Sequence, residues 1–475
     1  MFLRRFYDEE LAQASYMVGC TASGSALVVD PARDVEPYMA AAAAEGVRIT
    51  HVTETHIHAD FVSGSRELAR HSGAQLLLSD EGGPDWRYAF ADEAGARLLR
   101  DGDRFGVGNV RVEVVHTPGH TPEHLTFLIT DGASADEPMG ALTGDFIFVG
   151  DVGRPDLLER AAHIAGTMES SARRLFASLR RFASRPDWLQ IWPGHGAGSA
   201  CGKALGAVPQ TTLGYEKRFN WAFGIADEDE FVRAVLAGQP EPPRYFAQMK
   251  RINRDGAPHL AARPRPERLP ASRLAAFLAR GAVVVDTRHA ADFAESHIPG
   301  TLNIPLDRSF TTWAGALLPY DRDIVPLVDE EAEARGLHAV RSLERIGLDR
   351  VPGWVGADAL DAWRAEGRPL GGVGQVDAAT LAARMSEGAV HVIDVRARTE
   401  WDAGHMPGAR HIPLGELADR LGEIPRDRPV VLQCQTGGRS AIAASVLLSH
   451  GIAPVANLVG GYVAWSRNAP ASTPA

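Results

Sequence analysis

The stretch VVVDTRHAADFAESHIPGTLNIPL, Val283 to Leu306, aligns without a gap with HVIDVRARTEWDAGHMPGARHIPL, His391 to Leu414. Both copies keep D-x-R, H-x-P-G and I-P-L at the same spacing. A repeat of this kind commits the second half of the chain to one local solution used twice. In each copy a short apolar run ends in Asp, a helical stretch follows, and the H-x-P-G turn leads into another apolar segment. Strand, helix, strand is the natural reading, and a helix between two strands of one sheet makes those strands parallel. Two α/β modules are therefore expected, over 271–370 and 371–475.

The first half is built differently. Apolar runs such as SALVVD (Ser25 to Asp30) and VRVEVV (Val110 to Val115) alternate with helical patterns such as DVEPYMAAAAAEG (Asp34 to Gly46). That mixture predicts a layered α/β domain over 1–250. Between the halves, RINRDGAPHLAARPRPERLP crowds prolines and arginines into a stretch with little to bury, so 251–270 reads as a linker. The length of 475 residues suits about three domains at the usual 100–200 residues each. The fold class expected is α/β multidomain.

Charge narrows the partners. The formal net charge is -11 and lysine occurs only at Lys203, Lys217 and Lys250, which argues against nucleic acid or an anionic membrane, since both reward clustered basic groups. Small molecules and proteins remain, self-association included. The start, MFLRRFYDEELAQASY, reaches acidic residues before any signal-like apolar run, and no stretch approaches 18 consecutive apolar residues, so a cytoplasmic location is expected. Cys20, Cys201 and Cys434 are odd in number and far apart, which suits reduced thiols better than a disulfide framework.

Four segments of the first domain belong together chemically: THIHAD (Thr55 to Asp60), TPGHTPEH (Thr117 to His124), LTGDFIFVGDVGRPD (Leu142 to Asp156) and PGHGAG (Pro193 to Gly198). Each follows an apolar run and sets His or Asp in a glycine-rich turn, where strand ends deliver ligands to a shared rim. On these motifs residues 1–250 resemble the metallo-β-lactamase superfamily, whose αββα sandwich holds one or two metals. The superfamily's full H-x-H-x-D-H motif serves two metals; this chain reads H-I-H-A-D-F, with Phe61 at the last position.

Within that superfamily the chain resembles the persulfide dioxygenases most closely. The resemblance implies one iron(II), held by His56, His120 and Asp145. Two imidazoles and one carboxylate on one face of iron leave positions open for sulfur and dioxygen together. It also implies that Arg154, in G-R-P-D, binds an anionic thiol substrate. His58, Asp60 and His195 match superfamily metal positions outside this triad and are expected to orient the ligands through hydrogen bonds. His116 and His124 are left as structural. Cys201 follows the His195 loop and is either a sulfur relay or a small buried side chain; Cys20 reads as packing.

The last module contains VVLQCQTGGRS, Val430 to Ser440. An apolar strand runs into Cys434, a loop of Gln435, Thr436, Gly437, Gly438 and Arg439 follows, and a helix begins near Ser440. A thiol there faces successive backbone N–H groups and a helix N-terminus, which stabilise an anion and suit a persulfide. With D-V-R, G-H-M-P-G-A and LVGGYVAW, the module resembles the rhodanese family. The resemblance implies that Cys434 carries sulfane sulfur and Arg439 assists its anionic partner. In the earlier module IVPLV aligns with VVLQC and puts Val328 at the nucleophile's position, so that module is expected to be rhodanese-like without activity.

The order of modules resembles bacterial fusions of persulfide dioxygenase and sulfurtransferase. That implies oxidation of a low-molecular-weight thiol persulfide, of glutathione, coenzyme A or similar, by dioxygen to sulfite, coupled through Cys434 to thiosulfate. Two rivals remain: a zinc-dependent thioester hydrolase of the glyoxalase II type fused to a sulfurtransferase, and a non-catalytic sulfur sensor or carrier.

Overall fold

The computed structural model describes residues 1–160, 166–260, 263–329 and 332–468. The chain divides into two compact units, Met1–Arg263 with Glu344–Gly347 and Pro264–Leu343 with Leu348–Ala475.

In the first unit, six strands from Phe2–Asp8 to Arg97–Leu99 pair in chain order to form one sheet. A second sheet runs from Arg104–Val107 through Val110–His116, Leu125–Asp131, Gly140–Gly144 and Gln190–Pro193 to Thr211–Thr212. Side chains alternate across each strand, and here both faces are apolar. Along Gln13–Cys20, the residues Ala14, Tyr16, Val18 and Cys20 enter the core shared with Val112, Phe127 and Trp192 of the second sheet. Met17 points the other way, into a cluster with Tyr38 and Leu68 from helices Glu36–Ala44 and Ser65–Ser72. On the outer face of the second sheet, Leu128 and Ile191 pack with Leu175 and Leu179 of helix Met168–Phe182. Helices thus cover both outer faces of a two-sheet sandwich. Cys20 lies in the core between the sheets.

The strand ends explain where chemistry gathers. Val110–His116 and Gly140–Gly144 are each antiparallel to Leu125–Asp131, and Gln190–Pro193 runs parallel to Gly140–Gly144. Their C-terminal ends therefore open on one rim, where the loops bearing His120, Asp145 and His195 begin.

The proline-rich stretch 251–270 is not an extended linker throughout. Its first residues finish helix Phe246–Asp255, and buried Asn253 donates to the carbonyls of His58 (2.8 Å) and Phe61 (2.7 Å). His259 pairs with Glu67 at 2.7 Å. Composition conceals this because one amide side chain with several backbone partners anchors a segment rich in arginine and proline. Residues 261–262 of that stretch lie outside the described residues.

The second unit holds two five-stranded sheets with the same strand order. One runs Glu267–Arg268, Gly353–Gly356, Ile324–Val328, Val283–Asp286, Leu302–Asn303; the other runs Gly374–Val376, Val455–Leu458, Val430–Gln433, His391–Asp394, Arg410–His411. Every pairing in both is parallel, as the strand–helix–strand repeat predicts. Register makes the correspondence exact to the residue: Asp286 pairs with Leu327, and Asp394 pairs with Gln433. Val328 therefore takes the place of Cys434, and it is fully buried.

Candidate metal centre and sulfur-transfer loop

Ligand atoms of His56, His120 and Asp145 all lie within 4.8 Å of one another, and all three residues are buried. Asp145 Oδ2 is 3.9 Å from His56 Nε2 and 3.4 Å from His120 Nε2. Each imidazole is turned by its other nitrogen. His120 Nδ1 donates to the carbonyl of Arg154 (3.0 Å), and His56 Nδ1 donates to Thr55 Oγ1 (2.9 Å), whose own proton goes to Asp30 Oδ2 (2.9 Å). The tautomers follow from these acceptors and leave both Nε2 lone pairs facing Asp145. Burial lowers both imidazoles from their ordinary range, His56 the further because other histidines surround it, so both are neutral and able to bind a cation. Neither carboxylate oxygen of Asp145 has a hydrogen-bond partner, although both are buried. A carboxylate buried without donors calls for a cation.

Gly144 sets the turn that aims Asp145. Its φ is +48°, and a side chain there would collide with Thr55. The backbone N–H of Asp145 donates to His124 Nε2 at 3.1 Å, and His124 Nδ1 is held by Thr117 Oγ1 at 2.9 Å. Burial keeps His124 well below the usual imidazole range, as an acceptor requires. His124 is thus more than packing: it positions a ligand's backbone. His116 lies outside the centre, against the carbonyl of Pro122.

The remaining histidine positions form a second layer of contacts. His58 Nε2 meets Asp30 Oδ1 at 3.1 Å; burial alone pulls this imidazole down, but Asp30, Glu54 and Asp60 hold it up at about 9. It is a cation bonded to Asp30, and the ring of Phe61 packs on it at 4.4 Å between centroids. Asp60, His195 and Cys201 form a separate buried group within 4.8 Å. His195 Nδ1 donates to the carbonyl of Ala12 (3.1 Å), while Nε2 stands 3.3 Å from Asp60 Oδ2 and 3.5 Å from Asp145 Oδ1. Burial, then the carboxylates of Asp60 and Asp145, push the Cys201 thiol well above its ordinary value, so it is protonated.

Asp30 and Glu123 are absent from the set that sequence reasoning singles out. Asp30 accepts from the backbone N–H of Thr55 (2.6 Å) as well as from its hydroxyl and from His58, at a φ of +54°. Glu123 Oε1 accepts from the N–H of Ile57, between the two histidines, at 2.7 Å. The acid closing the run SALVVD is the one signal that pointed to Asp30.

Arg154 corrects the expectation of a substrate binder. Its Nε and Nη2 donate to the two oxygens of Asp156 at 2.8 Å, Nη2 also to the carbonyl of Pro240 at 2.7 Å, and Nη1 to the carbonyl of Ala200 at 3.0 Å. The side chain is 0% exposed. A guanidinium so enclosed has no face for a ligand; it ties the loop before Cys201 to the residue whose carbonyl orients His120.

In the second unit, Cys434 lies just past strand Val430–Gln433, before helix Gly438–Ser449, which begins two residues ahead of the expected start. The N–H of Gly437, at φ +106°, donates to Cys434 Sγ (3.2 Å), and Ser440 Oγ donates to the same sulfur (3.3 Å). The N–H groups of Tyr462 and Val463 hold the carbonyls of Cys434 (2.7 Å) and Gln435 (3.1 Å). Thr436 and Gly438 are exposed, and Gln435 is half-buried. Arg439 forms a bidentate pair with Glu400. One backbone N–H and one hydroxyl thus converge on Sγ.

The metallo-beta-lactamase superfamily model matches residues 8–195, and the rhodanese-like domain model matches 270–363 and 377–468. A crystal structure of a metallo-beta-lactamase from Staphylococcus aureus subsp. aureus COL is 41% identical, with a TM-score of 0.66, over 75% of this chain and 99% of that one. The chain belongs to the metallo-beta-lactamase superfamily. A hydroxyacylglutathione hydrolase from Rhodospirillum rubrum is 29% identical over 185 residues, 38% of this chain and 60% of that protein. A sulfurtransferase from Allochromatium vinosum is 36% identical over 97 residues, 20% of this chain and 91% of that protein. This superfamily member thus joins an N-terminal metallo-beta-lactamase fold to two C-terminal rhodanese-like domains. Among the described residues, no helix is long and apolar enough to cross a membrane.

Proposed function

We propose that this chain is a cytoplasmic sulfide-detoxifying enzyme, a persulfide dioxygenase coupled to a sulfurtransferase. The observation that carries the first activity is the group of His56, His120 and Asp145, with two neutral imidazoles and a buried carboxylate lacking donors. Such a donor set fits a single iron(II) with open positions. Iron bound there supplies the redox chemistry by which dioxygen and water convert the outer sulfur of a thiol persulfide to sulfite and release the thiol. The chain's own part is geometric. Thr55 and the Arg154 carbonyl fix the two rings, and His124 fixes the backbone of Asp145. Phe61 removes one imidazole from the neighbouring group and places an apolar ring beside His58.

At the second centre, Cys434 takes the sulfane sulfur of a persulfide, and sulfite accepts it as thiosulfate or the transfer runs in reverse. Gly437 and Ser440 stabilise the sulfur anion in either direction. Glutathione and coenzyme A persulfides are the substrates to test. Anaerobic purification with metal analysis, followed by oxygen uptake on glutathione persulfide, is expected to show about one iron per chain and persulfide-dependent uptake. Absence of uptake in the iron-loaded protein refutes the reading.

A second reading is favoured by the group of Asp60, His195 and Cys201, beside which Asp145 presents its other oxygen. A pair of zinc ions across these two groups would suit thioester hydrolysis, and one relative bears the name hydroxyacylglutathione hydrolase. Zinc at two per chain with thioester cleavage under argon would decide for it.

A further inference from the structure

The mouth of the Cys434 loop carries balanced charge. Arg439 Nη1 and Nη2 meet Glu400 Oε2 and Oε1 at 2.6 and 2.7 Å. Glu400 is itself anchored, because its Oε2 accepts from the N–H of Ala397 at 3.0 Å. Both side chains keep access to solvent, with 24% of Arg439 and 32% of Glu400 exposed. Arg396, whose Nη1 reaches Gln435 Oε1 (3.3 Å), is bidentate to Asp394 and packs over the ring of Tyr462. The two arginines hydrogen-bonded around this loop thus each carry their own carboxylate, and the four side chains sum to zero. What remains to attract an anion is the set of N–H and O–H donors around Sγ.

A carboxylate beside the substrate's arginine acts unequally on different donors. Its repulsion grows in proportion to the donor's charge. We infer that Glu400 is a specificity-determining residue that turns the Cys434 site against donors whose reacting sulfur group is dianionic, such as thiosulfate, and toward low-molecular-weight persulfides, whose reacting sulfur group carries a single negative charge. The same repulsion hastens release of thiosulfate when sulfite is the acceptor. This rests on the reading of Cys434 as the sulfur carrier. In the step concerned, the Cys434 thiolate attacks the outer sulfur of the persulfide and a new S–S bond forms. The old S–S bond breaks, and the small thiol leaves with the electron pair as its thiolate.

The test uses the full chain and two donors, thiosulfate and glutathione persulfide, with cyanide as a common acceptor. Replacing Glu400 by Gln keeps the hydrogen-bond shape and removes the charge. If the change lowers KM for a monoanionic persulfide sulfur by roughly two- to threefold, proportionality to charge makes the fall for thiosulfate about the square of that, roughly four- to ninefold. The gap should narrow as salt is raised. Glu400→Asp, which keeps the charge, should retain the wild-type preference even if kcat drops. A Glu400→Gln variant whose KM values stay put or rise while kcat falls equally for both donors has lost only structure, and the inference is overturned. If Cys434→Ser still transfers sulfur from either donor, the sulfur-carrier reading fails first, and the two failures are distinguishable.

Discussion

Replacing Arg154 by Met separates an internal clamp from a substrate-facing cation. In the structure the guanidinium makes four hydrogen bonds and is 0% exposed, beside an Asp156 that is 1% exposed. Removing one partner of a buried ion pair typically costs about 3–5 kcal/mol, chiefly because the other charge is stranded. Here Arg160 Nε still reaches Asp156 Oδ2 at 3.2 Å, and its side chain is 34% exposed, so the lower end of that range applies. A loss of about 3 kcal/mol in a unit of this size lowers the melting temperature by roughly 6–12 °C. Thermal unfolding followed by circular dichroism should show the first unit melting early while the Cys434 activity survives to its usual temperature. The double variant Arg154→Met with Asp156→Asn should recover part of the loss, since no buried carboxylate is then stranded. An unchanged melting curve combined with a raised KM for persulfide would falsify the clamp and restore the arginine to the substrate.

Replacing Cys434 by Ser should abolish thiosulfate formation and leave persulfide-dependent oxygen uptake largely intact; equal loss of both would mean the two centres do not act separately. Asp30→Asn should weaken metal binding about 10- to 100-fold in a titration of the chelated protein, because Asp30 holds both His58 and the hydroxyl that orients His56. Burial pushes the Glu123 carboxyl up to about 7, while an unfolded chain leaves it near 4.5. Its raised folded value means that stability is full below about 4.5 and falls as pH rises through 7, by about 3 kcal/mol in total. Glu123→Gln should flatten that part of the stability curve, and denaturant unfolding at pH 4.5 and pH 8 measures it.

Several parts of the site were legible because they are local. The turn that follows an apolar run is enough to put His56, His120 and Asp145 at strand ends, and the repeat alone predicts two sheets of one design with Val328 where Cys434 stands in its twin. Other parts were not. Arg154 reads as a substrate arginine from G-R-P-D, yet its fate depends on Pro240 and Ala200, which are remote in sequence. His124 reads as structural with no partner to name until the backbone of Asp145 arrives at its ring, and Asn253 looks like linker until the loop of His58 and Phe61 closes on it.

By itself the amino-acid order determined which strands form, that the second half is doubled, and which turns carry imidazole, carboxylate and thiol, since apolar periodicity and turn chemistry act over a few residues. Only the tertiary structure decided what each polar group faces. Whether an arginine binds a ligand or a buried aspartate, and whether a carboxylate finds donors or stands ready for a cation, depends on partners that folding brings together from far along the chain. The cost of leaving such groups unpaired in a dry interior is what selects the arrangement seen here.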